Sequence, residues 1–173
     1  QLDAHHMASG VFRHAHLLRG DAVVQQLDGK TGTISVTGNS ELLTLRTNGK
    51  ADGAVRIDDG PPAIDEITMT FIGALPLFLA PDAKRIANIG FGTGLTTHVL
   101  LASPTVETVD TVEIEPAIVR AAQHFRKVNS RALDDPRSRI HYEDAKTYFA
   151  AQQERYDVIL SEPSNPWVSG VAS

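Results

Sequence analysis

One glycine-rich stretch, RIANIGFGTGLTTHVL (residues 85–100), constrains the fold of this chain more than any other. Gly90, Gly92 and Gly94 lie between a short apolar run typical of a β-strand and a run typical of a helix. Glycine in such a loop allows positive φ angles and lets a ligand approach the main chain closely. The amino terminus of the following helix favours electron-rich groups. We expect the three glycines to bind a ligand, and a tight strand-to-helix turn without a ligand is the alternative.

The glycine loop opens a series of strands and helices that alternate along the chain. The pattern predicts strands at 85–89, 106–114, 139–142 and 157–161, and helices at 95–102, from Pro116 along Ile118, Ala122, Phe125 and Val128, and at 145–153. Strands separated by helices form parallel sheets with right-handed crossovers. A dinucleotide loop would need Gly or Ala at position 95, which is Leu95. The sequence therefore predicts an α/β fold, with a Rossmann-like parallel sheet of the class I methyltransferase type.

The residues before position 63 follow a different pattern. Residues 33–37 and 43–47 alternate in polarity, and Asn48-Gly49 is a strong hairpin signal. Helical spacing follows at 64–75, in a helix that Pro76 bends or ends. We therefore divide the chain into three parts. They are a leader at 1–19, a small antiparallel β domain at 20–62, and a Rossmann-like domain at 63–173 that we expect to be incomplete at its C-terminus.

Composition excludes several classes of site. The 173 residues carry a net charge of −5 and include no cysteine. The acidic balance argues against a nucleic-acid partner. The lack of cysteine excludes disulfides and zinc–sulfur sites and fits a cytoplasmic location. The longest apolar run, 71–80, is far shorter than the roughly 20 residues of a membrane helix, so we expect no membrane insertion of this segment. We interpret the N-terminal histidines as surface residues and expect no metal site.

Two acids end the second strand of the α/β region. Glu113 and Glu115 lie in VDTVEIEP, a little over 20 residues past the glycines. An acid there accepts hydrogen bonds from both ribose hydroxyls of a nucleoside, because a carboxylate is an acceptor only. Glu113 lies in the better register, and Glu115 is the second candidate. A helix N-cap or first-turn acid before Pro116 is the alternative for Glu115, and we interpret Asp110, earlier in the strand, as structural.

A third acid follows the next strand in IHYEDAKTYF. Asp144 can accept a hydrogen bond from the amino group of adenine, while the main-chain N–H of Ala145 donates to the ring. The alternative for Asp144 is the N-cap of the helix predicted at 145–153.

With these motifs in order, the chain resembles the spermidine synthase family of aminopropyltransferases, and within it a bacterial branch often fused to a membrane transporter-like region. The similar stretches are MASGVFR, LRTNGKADG, LPLFLAPDAKRIANIGFGTG, VEIEPAIVRAAQHF, DPRSRIHYEDA and YDVILSEPSNPWVSGVAS. The resemblance implies a cytoplasmic homodimer, or the soluble part of a membrane-anchored protein. It also implies a co-substrate such as decarboxylated S-adenosylmethionine and a small-molecule amine. Gly90, Gly92, Glu113, Asp144 and Ala145 match the nucleoside-contacting positions of the family.

The last stretch carries the candidate catalytic residues. The family has Asp-Ser-Ser-Asp-Pro or a similar sequence where this chain has Glu162-Pro163-Ser164-Asn165-Pro166. Glu162 keeps a carboxylate, whereas Asn165 loses one charge. The amine-contacting segment of the family is also altered, with Thr68, Met69, Thr70 and Ala74. The resemblance thus favours aminopropyl transfer, with an S-adenosylmethionine-dependent methyltransferase or a non-catalytic nucleoside sensor as alternatives.

Overall fold

The computed structural model describes residues 3–9 and 20–161, and its first main element is an antiparallel sheet. After a short helix α1 (Ala4–Ala8), the strands β1 (Ala22–Asp28), β2 (Thr33–Gly38), β3 (Leu42–Thr47) and β4 (Lys50–Arg56) pair in sequence order. The β3–β4 turn is at Asn48-Gly49, where both residues have positive φ. The antiparallel unit predicted from alternating polarity is confirmed.

The second sheet is parallel and has the order β7-β6-β5-β8. Its strands are β5 (Arg85–Ile89), β6 (Thr108–Val112), β7 (Ser138–His141) and β8 (Val158–Ser161). The crossover connections contain α3 (Leu95–Leu100), α4 (Pro116–Ala121), a 3-10 turn (Ala122–Phe125), α5 (Arg126–Asp134) and α6 (Ala145–Ala151). The carboxyl ends of β5, β6 and β7 meet at one edge, and they carry the predicted site residues. The Rossmann-like α/β prediction is confirmed.

The helix that links the two sheets in sequence rules out one of the two predicted effects of Pro76, that it ends the helix. Helix α2 spans Ile64–Leu79 and includes Pro76, so it does not end at the proline. Proline cannot donate a main-chain hydrogen bond, which usually makes it unfavourable inside a helix. Here its ring is buried and its carbonyl accepts a hydrogen bond from Ala80 N at 2.8 Å. The helix continues past the buried proline to Leu79.

The face predicted to follow Pro116 is buried, although the main chain changes helix type along it. Ala122 and Phe125 are fully buried, and Ile118 and Val128 pack beside them. The main chain passes from α4 through the 3-10 turn to α5. Spacing of apolar residues therefore predicted the buried face but not the interruption.

One hydrophobic core joins the two sheets. Ile34, Val36 and Leu45 of the antiparallel sheet pack in the same cluster as Leu95 and Phe125 of the α/β region. Polar contacts reinforce this junction, because Lys127 Nζ on α5 donates to the carbonyls of Ile57 and Asp58 at 3.1 and 2.7 Å. The antiparallel sheet is therefore packed against the helices that carry the site.

Arg137 donates hydrogen bonds to the main chain of the segment that follows α3. Arg137 donates to the main-chain carbonyls of Leu101, Ser103 and Val106 at 2.7–2.9 Å. Its guanidinium also binds Asp135 at 2.7 Å. The guanidinium thus satisfies three carbonyls between α3 and β6.

Helix α2 leaves a row of large apolar side chains exposed. The row consists of Ile64, Ile67, Phe71, Leu75 and Phe78, which are 45–83% exposed. Ile159 on β8 is 55% exposed. None of the helices in the described ranges has the length and apolarity needed to cross a bilayer.

Candidate nucleoside site

The glycine loop after β5 has a main-chain conformation that requires glycine. Gly92 has φ +54° and Gly94 has φ +82°, in the left-handed region. A Cβ on Gly94 would lie 2.8 Å from the ring of Phe91. At Gly92, in contrast, no described atom lies within 4 Å of the position a Cβ would take. The loop therefore combines an enforced tight turn with open space at Gly92 among the described residues.

Three buried side chains hold the main chain of this loop. Glu113 accepts a hydrogen bond from Phe91 N at 2.8 Å. Asn88 Nδ2 donates to the carbonyl of Gly90 at 3.0 Å, and Asn129 Nδ2 donates to the carbonyl of Thr93 at 2.7 Å. The sequence interpretation missed both asparagines. An asparagine inside the apolar run RIANI was an available signal for Asn88, whereas Asn129 comes from a distant helix.

Glu113 lies at the carboxyl end of β6 and is only 5% exposed. Its Oε2 accepts from Phe91 N and its Oε1 accepts from Glu115 N, each at 2.8 Å. Burial raises the pKa of the Glu113 carboxyl above its ordinary value, against the lowering effect of these main-chain hydrogen bonds. A carboxylate has about four acceptor positions, so room remains for a further donor. Glu113 is thus a fixed acceptor beside the glycine loop.

Glu115 takes the helix-capping role that the sequence left as an alternative. Its Oε1 accepts from Ala117 N at 3.0 Å, at the start of α4. Its Oε2 accepts from both the main-chain N and the hydroxyl of Thr31, at 2.6 and 3.0 Å. Burial raises the pKa of Glu115, but these hydrogen bonds outweigh it, so the net shift is downward. Glu115 contacts the turn between β1 and β2, not the glycine loop.

Asp144 also caps a helix. It follows β7 and accepts from Thr147 N at 3.0 Å with Oδ1, at the start of α6. The side chain is partly exposed, as is Ala145. A carboxylate has about four acceptor positions, so capping is compatible with a further hydrogen bond from an amino group. The first-turn N–H of Ala145 has no acceptor within its own helix, because the first four amides of any helix have none.

A network of hydrogen-bonded polar side chains lies beside β6 and β7. Asp110, 3% exposed, accepts from His141 Nε2 at 2.6 Å and from the hydroxyl of Tyr156 at 3.2 Å. The hydroxyls of Tyr148 and Tyr156 are 2.8 Å apart. Burial raises the pKa of Tyr156, so its hydroxyl stays protonated. This placement fits the structural interpretation of Asp110.

Two acids at the start of α2 accept hydrogen bonds from main-chain amides of β4. Glu66 accepts from Ala63 N and Arg56 N at 2.7 and 2.8 Å, and Asp65 accepts from Ala54 N at 2.8 Å. One turn further on, the buried Met69 packs against Thr93 of the glycine loop, with Sδ 3.2 Å from the hydroxyl. Asp65 and Glu66 therefore act here as structural acceptors.

Both candidate catalytic residues, Glu162 and Asn165, lie outside the described residues. Within 3–9 and 20–161, no three His, Cys, Asp or Glu side chains come together as ligands for a metal.

The parallel sheet, the glycine loop after β5 and the acids after β6 and β7 define a Rossmann-like domain of the class I methyltransferase type. The family model of the spermine/spermidine synthase domain matches residues 66–171. The chain therefore belongs to the spermine/spermidine synthase domain family.

Curated relatives agree with this family. The polyamine aminopropyltransferase of Thermotoga maritima is 30% identical over 152 residues, covering 75% of this chain and 51% of that protein. The polyamine aminopropyltransferase of Alkaliphilus oremlandii is 30% identical over 96 residues, covering 56% of this chain and 34% of that protein. The chain thus spans about half the length, or less, of these relatives.

Solved structures agree on the fold. A spermidine synthase crystallised with the transition state analogue AdoDATO has a TM-score of 0.70 at 21% identity, covering 84% of this chain and 47% of that one. The spermidine synthase of Thermotoga maritima has a TM-score of 0.67 at 21% identity, covering 80% and 47%.

Proposed function

We propose that the protein binds decarboxylated S-adenosylmethionine and transfers its aminopropyl group to a small-molecule amine. The observation that carries this proposal is the family match over 66–171, which contains the glycine loop, the acids and the terminal loop. The curated relatives named above as polyamine aminopropyltransferases support the reaction class.

The nucleoside assignments follow from the positions of the acids. We propose that Glu113 accepts hydrogen bonds from the ribose hydroxyls with its remaining lone pairs. Asp144 accepts from the adenine amino group and Ala145 N donates to the ring. The glycine loop at Gly90, Gly92 and Gly94 lies against the part of the nucleoside that carries the sulfonium. These residues are at the carboxyl ends of three neighbouring strands, where open α/β sheets bind ligands.

The chemistry requires an uncharged amine. A primary amine has a pKa near 10, so it arrives protonated and must lose a proton before it attacks. Its nitrogen then forms a bond to the carbon beside the sulfonium, and the carbon–sulfur bond breaks with its electron pair on sulfur. Methylthioadenosine leaves as a neutral thioether. We propose that Glu162 accepts the proton and that Asn165 helps to orient the amine.

A second candidate, nucleoside binding without transfer, has one observation in its favour. Thr68, Met69, Thr70 and Ala74 replace the residues that contact the amine in the family, and Met69 is buried against Thr93. Few polar groups therefore remain on this part of α2 to hold a cationic amine. An S-adenosylmethionine-dependent methyltransferase has no comparable support in the site geometry.

A turnover assay separates transfer from binding alone. The purified protein is incubated with decarboxylated S-adenosylmethionine and a panel of diamines and triamines, and methylthioadenosine release is measured by chromatography. We expect amine-dependent release that Glu162→Gln reduces strongly. Tight nucleoside binding without release for any amine would favour the second candidate. Unchanged release by Glu162→Gln would remove Glu162 from the proton-accepting role.

The partner and location remain predictions. Homodimerisation and fusion to a transporter-like region follow from the resemblance alone, and a cytoplasmic location from the resemblance together with the lack of cysteine. Size-exclusion chromatography with light scattering on the purified protein tests the first of these directly.

A further inference from the structure

The turn between β1 and β2 is hydrogen-bonded to the carboxylate of Glu115, beside the candidate nucleoside site. Thr31, at this turn, is 84 positions from Glu115 in sequence, and its main-chain N and hydroxyl both donate to Glu115 Oε2. Glu115 is 2% exposed, whereas Thr31 lies at the surface, so these hydrogen bonds are partly buried. The antiparallel sheet therefore contacts the α/β region beside the carboxyl end of β6.

Glycine at position 29 permits this contact. A Cβ on Gly29 would lie 2.5 Å from the carboxyl carbon of Glu115 and 2.6 Å from each of its oxygens. Side-chain carbons never approach a carboxylate so closely without displacing it. Any larger residue at 29 would displace the Glu115 carboxylate from its present position, the turn, or both.

The contact continues from Glu115 to the glycine loop. The main-chain N of Glu115 donates to Glu113 Oε1 at 2.8 Å, and Glu113 Oε2 accepts from Phe91 N at 2.8 Å. Displacement of Glu115 would thus move the donor that holds one oxygen of Glu113. We call the series Thr31, Glu115, Glu113 and Phe91 the carboxylate relay.

We infer that Thr31 and Glu115 are positioning residues, which set the orientation of the Glu113 carboxylate and through it the affinity for the ribose hydroxyls of the nucleoside. This inference rests on the proposed function for its ligand. It gives the antiparallel sheet a role in ligand binding although its residues need not touch the ligand. Glu115 then acts through Glu113 instead of binding the nucleoside itself.

Two variants weaken the carboxylate relay at the turn between β1 and β2. Thr31→Val removes the hydroxyl hydrogen bond, and Thr31→Ser is the matched control because it keeps the hydroxyl. Gly29→Ala places a methyl group where the Glu115 carboxylate lies, so the carboxylate or the turn must move. We expect methylthioadenosine to bind roughly 3-fold more weakly to Thr31→Val and roughly 10-fold more weakly to Gly29→Ala. Thr31→Ser should bind as the parent does.

The ribose assignment is tested with a second ligand, the 2′-deoxy analogue of methylthioadenosine. If the relay orients Glu113 toward the hydroxyls, removal of the 2′-hydroxyl costs the parent protein more affinity than it costs Gly29→Ala. A general loss of structure would weaken both ligands by the same factor. Equal ratios in the parent and in Gly29→Ala would therefore overturn the inference.

Amide hydrogen exchange followed by NMR tests the relay without a ligand. We expect Gly29→Ala to speed exchange at the amides of Phe91 and Glu115, while amides of β8 keep their parent rates. Unchanged exchange at Phe91 would overturn the inference whether or not a nucleoside binds. If the parent binds no methylthioadenosine, the proposed function fails and the ribose part of this inference fails with it, whereas the exchange result still decides whether the relay exists.

Discussion

Replacement of Glu113 by glutamine tests the geometry of the site most sharply. The carboxylate accepts two main-chain N–H groups, from Phe91 and Glu115, at 2.8 Å each. Glutamine has one oxygen, so one amide would face an NH₂ group and lose its acceptor inside the protein. A buried donor without a partner costs about 1–3 kcal/mol. Relief from burying a charge offsets part of this cost, so we expect the free energy of unfolding to fall by about 1–2 kcal/mol.

The same variant should have a larger effect on ligand binding. Hydrogen bonds to a charged group contribute about 1.5–3 kcal/mol each, and the ribose hydroxyls would lose at least one of them. Methylthioadenosine should therefore bind about 10–100-fold more weakly.

Two measurements check these expectations. Urea denaturation followed by circular dichroism gives the stability, and calorimetry at a temperature where both proteins are folded gives the affinity. Glu107→Gln is the matched control, because Glu107 is an exposed partner of Lys84 far from the site. Affinity of Glu113→Gln within about threefold of the parent would refute the role assigned to Glu113.

Three further predictions follow from the same structure. Because burial raises the pKa of Glu113 in the folded protein, the carboxyl contributes stability at low pH that is lost as the pH rises through that pKa. The stability advantage over Glu113→Gln should therefore shrink as the pH rises from below the ordinary pKa of glutamate to above the raised pKa of Glu113. A difference in the free energy of unfolding that stays constant in urea denaturation over this rise in pH would contradict the prediction. Arg137→Gln should lower the free energy of unfolding by about 2–3 kcal/mol, because three main-chain carbonyls lose a charged donor. A urea midpoint equal to that of the parent protein would show that water replaces the guanidinium. Gly73→Ala should lower the free energy of unfolding by about 1–3 kcal/mol, although alanine favours helices. The reason is that its Cβ would lie 2.9 Å from the carbonyl of Thr96 and from Val99. A rise in the thermal midpoint would mean that α2 and α3 can separate without cost.

The sequence predicted those features that depend on neighbouring residues. Alternating polarity identified β2 and β3, and the glycine loop was located because strand, glycines and helix follow one another directly. The position of Glu113 beside the glycine loop was predicted for the same reason, since Glu113 follows a strand at a fixed distance from the loop. The fold class could therefore be predicted without the structure.

Features that depend on distant contacts could not be predicted. The hydrogen bond between Thr31 and Glu115 joins residues 84 positions apart, and Asn129 reaches Thr93 from another helix. Pro76 is buried inside α2, and the helix continues past it to Leu79. Local patterns carry no information on any of these contacts.

The proposal that the domain binds decarboxylated S-adenosylmethionine is tested most directly by calorimetric titration of the purified protein. Decarboxylated S-adenosylmethionine and S-adenosylmethionine are titrated under the same conditions. A site for the decarboxylated compound leaves the extra carboxylate of S-adenosylmethionine without a partner, which is costly in a partly buried site. We therefore predict that the decarboxylated compound binds tighter by about tenfold or more. Tighter binding of S-adenosylmethionine, or no binding of either nucleoside, would contradict the proposal.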